Sequence, residues 1–225
     1  EKAQTIEWIQ KYYGEIPKGA ALTKTQFPED PITQTIKASY EDPNIQIPML
    51  LTAYRTPSMK TREARVLEMI SGLLSDGKSS RLYKKLVDDK KMALQIGAFS
   101  FTQEDHGMYV VYGLPLAPFT IKDLQTEFDA EIALLQNELI SEKELEKLKN
   151  KIENQYVNNN ASVEGIAESL ATYYLLFGNV NLINTDIETY RSVTREEIQA
   201  VAKKYLSNNQ RLLLEYLPTQ EKPKN

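Results

Sequence analysis

Cysteine is absent from this chain, and histidine occurs once, at His106. The first absence removes a disulfide framework, a thiol nucleophile and a thiolate metal site, without identifying a compartment. The second leaves any imidazole metal centre without a second histidine, and Glu104 or Asp105 beside His106 makes a poor zinc site. A Ser-His-Asp set would need His106 as its base. Ser100 lies near it along the chain, but no strained G-x-S-x-G turn accompanies it. His106 therefore reads as an exposed residue of a hairpin turn. Long apolar runs are missing too: nothing approaches the ~18 residues of a membrane span, and the start carries no signal-peptide pattern. Nor is there an excess of positive charge. The net charge is −4, with Lys and Arg spread along the chain, which argues against nucleic acid as a partner.

What is present describes an ordinary globular protein. Of 225 residues, 41% are hydrophobic and 26% charged, enough to build one large domain or two small ones sharing a core. The chain opens at Glu1 without methionine, so it is expected to be cut from something longer. Residues 1–217 are expected to form a single domain and 218–225 a polar tail or linker.

Gly72 through Ser79 spell G-x-x-x-x-G-K-S, the pattern of a phosphate-cradling loop. That loop needs a buried strand directly before its first glycine. Upstream, however, Ala64, Val66, Leu67, Met69, Ile70, Leu73 and Leu74 follow helical spacing from about Thr61. Gly72 then falls in a helix, where the nest of amide groups cannot form. A Mg²⁺-binding acid after a second strand is also hard to find, Glu215 after Leu212-Leu-Leu being the nearest candidate. A nucleotide-binding protein remains the alternative that this motif would support.

Other elements follow from periodicity and punctuation. Glu1 to Tyr13 reads as an amphipathic helix with Ile6, Ile9 and Tyr13 on one face and Gly14 as its stop. A Pro- and Gly-punctuated connector extends to Pro28 and Pro31. Strands are expected over Ile32–Tyr40 and Ile47–Tyr54. A short helix is expected from Ser79 to Lys91, with Ser79 or Ser80 as its N-cap. Met92–Phe101 and Met108–Leu114 read as a hairpin that places Leu94, Ile96 and Ala98 on one face. Helices follow from Thr120 to about Val157, restarting at a capping box Ser141–Glu144, and from Val163 to Phe177, closed by Gly178. Asn184–Tyr190 reads as a connection. Thr194–Glu197 is a second capping box opening a helix to Leu206, and Arg211–Leu217 is a final strand. Leu67, Ile70, Leu73 and Leu74 are expected to pack with Leu82 and Leu86, with Gly77 at the turn between them. This order predicts an α+β fold, an antiparallel-rich sheet against a layer of helices. Most carboxylates sit beside lysines on helix faces, as in Glu142–Lys147, and the thirteen tyrosines suit core and rim packing. No residues assemble into a persuasive catalytic set.

Three segments resemble one family. Trp8–Pro17 is similar to its "kyFg-ip" helix end, Leu73–Tyr83 to its "lLg-g-sSrLy" junction, and Val193–Leu206 to the "vT-edi--vA-kyl" helix before its closing strand. In the junction the matching residues are Gly77, Ser80, Arg81, Leu82 and Tyr83. The family is that of insulinase, pitrilysin and the mitochondrial processing peptidases, zinc metallopeptidases. The resemblance implies a metallopeptidase-half (LuxS/processing-peptidase-like) fold in which related domains form two halves closing over a chamber. It also implies a zinc domain carrying His-x-x-Glu-His and a distal glutamate. With one histidine this chain cannot be that domain. The family's second element, an arginine and tyrosine pair that holds substrate, falls here on Val87 and Leu94, which cannot donate the required hydrogen bonds. The resemblance thus implies a non-catalytic domain, best fitting the one that follows the zinc domain in the same half. Zinc is expected in that partner domain and none in this chain. Peptide is expected to be met only through the assembled chamber. A degenerate scaffold subunit is the other reading. No compartment is readable; in a bacterial member, periplasm or envelope would follow from a signal segment preceding Glu1.

Overall fold

In the computed structural model, which describes residues 1–21, 23 and 30–219, the chain divides into two units, Glu1–Pro31 and Ile32–Asn225. The first holds helix α1, Lys2–Tyr13, none of whose side chains is buried. Its end is marked by Gly14, whose amide donates to the Gln10 carbonyl at 2.9 Å. Pro28 of the expected connector lies outside the described residues, as do residues 220–225 of the expected tail.

The second unit is a sheet under helices. Its strands are β1 (Ile36–Asp42), β2 (Met49–Thr56), β3 (Ala93–Phe101), β4 (Gly107–Pro115) and β5 (Arg211–Pro218). They lie in the order β1-β5-β2-β4-β3. Only the β1–β5 pair is parallel, so the sheet is antiparallel-rich as expected. The helices are α2 (Arg62–Ser75), α3 (Ile121–Asn137), α4 (Glu142–Asn159), α5 (Val163–Thr172), α6 (Leu182–Arg191) and α7 (Arg195–Tyr205). Two wide π-helical segments, Tyr83–Asp89 and Tyr173–Phe177, and a 3₁₀ turn, Asn208–Gln210, complete the set.

Local chemistry sets the helix ends. Thr61 accepts from the Ala64 amide to open α2, and reciprocal capping boxes open α3 (Thr120 with Asp123), α4 (Ser141 with Glu144) and α7 (Thr194 with Glu197). The seven apolar residues of the α2 stripe are all buried, against β3 among other elements. All of them but Ala64 join Leu50, Tyr54, Leu82, Leu86, Val111, Phe128 and Ile198 in one core between sheet and helices. Gly72 lies within α2, so the G-x-x-x-x-G-K-S segment has no strand before it and forms no phosphate cradle. Gly77 turns the chain with φ +84°, which a side chain disfavours.

Several boundaries differ from the sequence expectation. β1 starts at Ile36, not Ile32, because its neighbour β5 offers partners only from Leu212 onward. Neither Ser79 nor Ser80 caps the following helical turn. The Ser80 hydroxyl donates back to the Gly77 carbonyl at 2.7 Å, and the Ser79 hydroxyl accepts from Lys147. Leu94 does not share a face with Ile96 and Ala98: a register shift between Ala93 and Gln95 turns it outward, 54% exposed. Asn184–Tyr190 is no connection but most of α6, held by buried Asp186, Ile187 and Tyr190.

Candidate functional site

The Gly77–Tyr83 junction is built around a partly buried guanidinium. Arg81 forks onto Glu144, Nε to Oε1 at 2.7 Å and Nη2 to Oε2 at 3.0 Å, while Nη1 reaches Glu131 Oε1 at 3.2 Å. Glu131 is almost wholly buried on α3, and Lys85 approaches it at 3.6 Å. Glu144 is also the capping-box residue of α4, accepting from the amide and hydroxyl of Ser141 at 2.9 and 2.8 Å. The Arg81 guanidinium, with these donors, holds its carboxyl down at about 2. Leu82 is buried and Tyr83 packs on the core beside it. Arg81 thus ties the junction to α3 and to the start of α4. This arrangement positions elements.

The two positions that would carry the family's substrate-holding pair are both apolar and do not converge on a site. Val87 packs against the core from the π-helical segment, and Leu94 projects outward at the bulge of β3. His106 is exposed in the β3–β4 turn. Among the described residues no three His, Cys, Asp or Glu side chains converge on a metal-sized site. With no cysteine and a lone turn histidine, the donor set does not fit zinc.

A second polar cluster is not legible in the sequence, since it depends on α6, where a connection is expected. Arg65 of α2 pairs with Asp186 at 3.2 Å and faces the Phe177 ring at 5.2 Å, while the Tyr173 hydroxyl donates to Asp186 at 3.2 Å. Tyr190 donates to Glu68 at 2.5 Å, and burial with that carboxylate pushes its phenol upward. The cluster borders a cleft of about 410 Å³, and Arg65 and Asp186 are already paired with each other there. The signal available was the spacing of Ile183, Ile187 and Tyr190, a short helical stripe.

The largest unsatisfied feature is the outer face of the sheet. Leu50, Thr52, Tyr54 and Thr56 of β2 point into the core, so Met49, Leu51, Ala53 and Arg55 point the other way. Register carries that face across the sheet: Leu51 lies between Tyr112 and Leu214, and Ala53 between Val110 and Leu212. At one end Phe99, Phe101 and Met108 are 44%, 50% and 45% exposed; at the other, Ile36 and Tyr40 are exposed. The Tyr112 ring lies across Gly97, where an added Cβ would meet it at 2.2 Å. Phe99 meets that ring edge-on at 6.3 Å, and Tyr40 stacks on Tyr216 at 5.4 Å. Sheets solvated on one side alternate apolar with polar residues. This one carries apolar residues on both faces.

The described residues of the second unit thus form an α+β layer with one core and an ion-paired junction between its helices. The sequence places the chain further. The family profile described as Peptidase M16 inactive domain matches residues 1–152, and the chain belongs to that family. It is 25% identical over 173 residues to the zinc protease PqqE of Helicobacter pylori, covering 74% of this chain and 37% of that protein. It is 22% identical over 214 residues to the uncharacterized zinc protease YmxG of Bacillus subtilis, covering 93% and 50%. The crystal structure of a protease from Helicobacter pylori superposes with a TM-score of 0.88 at 20% identity, over 97% of this chain and 53% of that one. The chain spans half or less of the length of these curated relatives.

Proposed function

We propose that residues 1–217 are one non-catalytic domain of a longer zinc metallopeptidase, and that the open sheet face packs against the zinc-bearing domain. Together the two would form part of the wall enclosing a peptide. The observation that carries this reading is the apolar outer face, with Phe99, Phe101 and Met108 exposed on a sheet whose other face already has a full core. Helix α1 adds a second surface of the same kind, since Ile6, Ile9 and Tyr13 are exposed along one of its stripes. The relatives named as zinc proteases have at least as much chain again outside the matched region, room for such a domain. Zinc and the water it activates would come from that domain. This chain contributes shape and position.

Two experiments test this. The isolated chain should hold no stoichiometric zinc after dialysis and cleave no peptide; one tightly bound zinc per chain, lost in His106→Ala, would contradict the reading. In the full-length protein, Phe99→Asp with Met108→Asp should lower peptide hydrolysis about tenfold or more by disrupting a central apolar contact. In the isolated chain the same pair should leave the melting temperature nearly unchanged, because both side chains are largely exposed. Full activity in the double variant would sink the packing assignment.

A further inference from the structure

The two edges of the sheet are finished differently. At β3 the Ser75 hydroxyl accepts from the Ala98 amide at 2.6 Å and donates to the Ala98 carbonyl at 3.0 Å, so the chain occupies that rung itself. The bulge between Ala93 and Gln95 disturbs the same edge further. At β1 the seven residues pair with β5 on one side only, and six of the seven are exposed. Edge strands commonly deter pairing by carrying charge. Of the three charges of β1, Asp42 is engaged by the Tyr216 hydroxyl and the Asn44 amide; the other two, Lys37 and Glu41, stand two residues to either side of Ser39 and point to the same face. Neither has an ion-pair partner among the described residues.

We propose that β1 is a self-association edge, at which two copies of this chain pair β1 antiparallel to β1, centred on Ser39, and join their sheets. In that register Lys37 stands opposite Glu41 of the second copy, and by two-fold symmetry the pair occurs twice. Ala38 stands opposite Tyr40, so the exposed phenol ring gains an apolar neighbour on the outer face. Centring the pair on Lys37 or on Glu41 would instead oppose like charges, and centring it on Ala38 or Tyr40 would set each charge against Ser39 or beyond the strand, so the Ser39 register alone brings Lys37 opposite Glu41. The charges that would repel other strands are complementary to their own copy. The test is separable from the zinc-domain reading, since Lys37 and Glu41 point to the face opposite to Tyr40 and β1 lies at the other edge of the sheet from Phe99 and Phe101.

Sedimentation velocity over a concentration series tests it with four proteins: the unaltered chain, Lys37→Glu, Glu41→Lys, and the double exchange. The unaltered chain should form a dimer. Each single reversal should weaken it about tenfold or more by turning two attractive pairs repulsive, and the double exchange should restore it. Matching circular dichroism melts would show that these exposed changes leave the fold intact. A chain that stays monomeric up to its solubility limit would overturn the proposal. So would a dimer indifferent to the single reversals, or one that the double exchange fails to restore.

Discussion

Glu144 shows how one side chain serves two elements at once. It accepts from Arg81 on one side and from Ser141 on the other, closing a helix cap and a helix junction together. Its folded pKa lies near 2 against an ordinary value of 4.5. The stabilisation from its charge is therefore complete above about pH 4.5 and is lost as pH falls through about 2. Glu144→Gln should destabilise the chain at pH 7, and denaturant unfolding should show the deficit shrinking across that window. A deficit independent of pH would mean that the carboxylate charge contributes nothing. Arg81→Leu should cost about 2–3 kcal/mol, since it leaves the buried Glu131 with Lys85 alone at longer range. The motif residues were legible in the sequence as a pattern. Their chemistry was not, because Glu131 and Glu144 lie 50 and 63 positions away.

At the scale of elements, what could be read was local. The α2 stripe and the capping boxes of α4 and α7 depend on spacings of three and four residues, and each forms where the sequence places it. Gly77 belongs with them: its φ of +84° makes Gly77→Ala worth about 1–2 kcal/mol of lost stability by thermal unfolding, with Gly77→Asn milder. Equal stability of the alanine variant would show that the turn relaxes freely. The unread parts depend on distant groups. α6 owes its place to Asp186 meeting Arg65 across 121 positions, and Leu94 turns outward because β4 forces a shifted register on β3. The outer face was hidden for a related reason. Alternation along β3 and β4 distinguishes two faces, but the apolar content of both says nothing about which one the helices cover.

At the scale of the whole molecule, the proposed role puts an intact fold in the service of another domain's chemistry. Its core lies between the sheet and helices α2, α3 and α7, and its second apolar surface is left open. The measurement that bears on this most directly is hydroxyl-radical footprinting of the isolated chain and of the full-length protein, read by mass spectrometry at Phe99, Phe101 and Met108. These side chains react readily when exposed, as they are in this chain. The expected result is strong modification in the isolated chain and protection of all three in the full-length protein, with exposed Tyr12 of α1 followed separately for its own contacts. Equal modification of Phe99, Phe101 and Met108 in both proteins would contradict the claim that this face packs against the zinc-bearing domain.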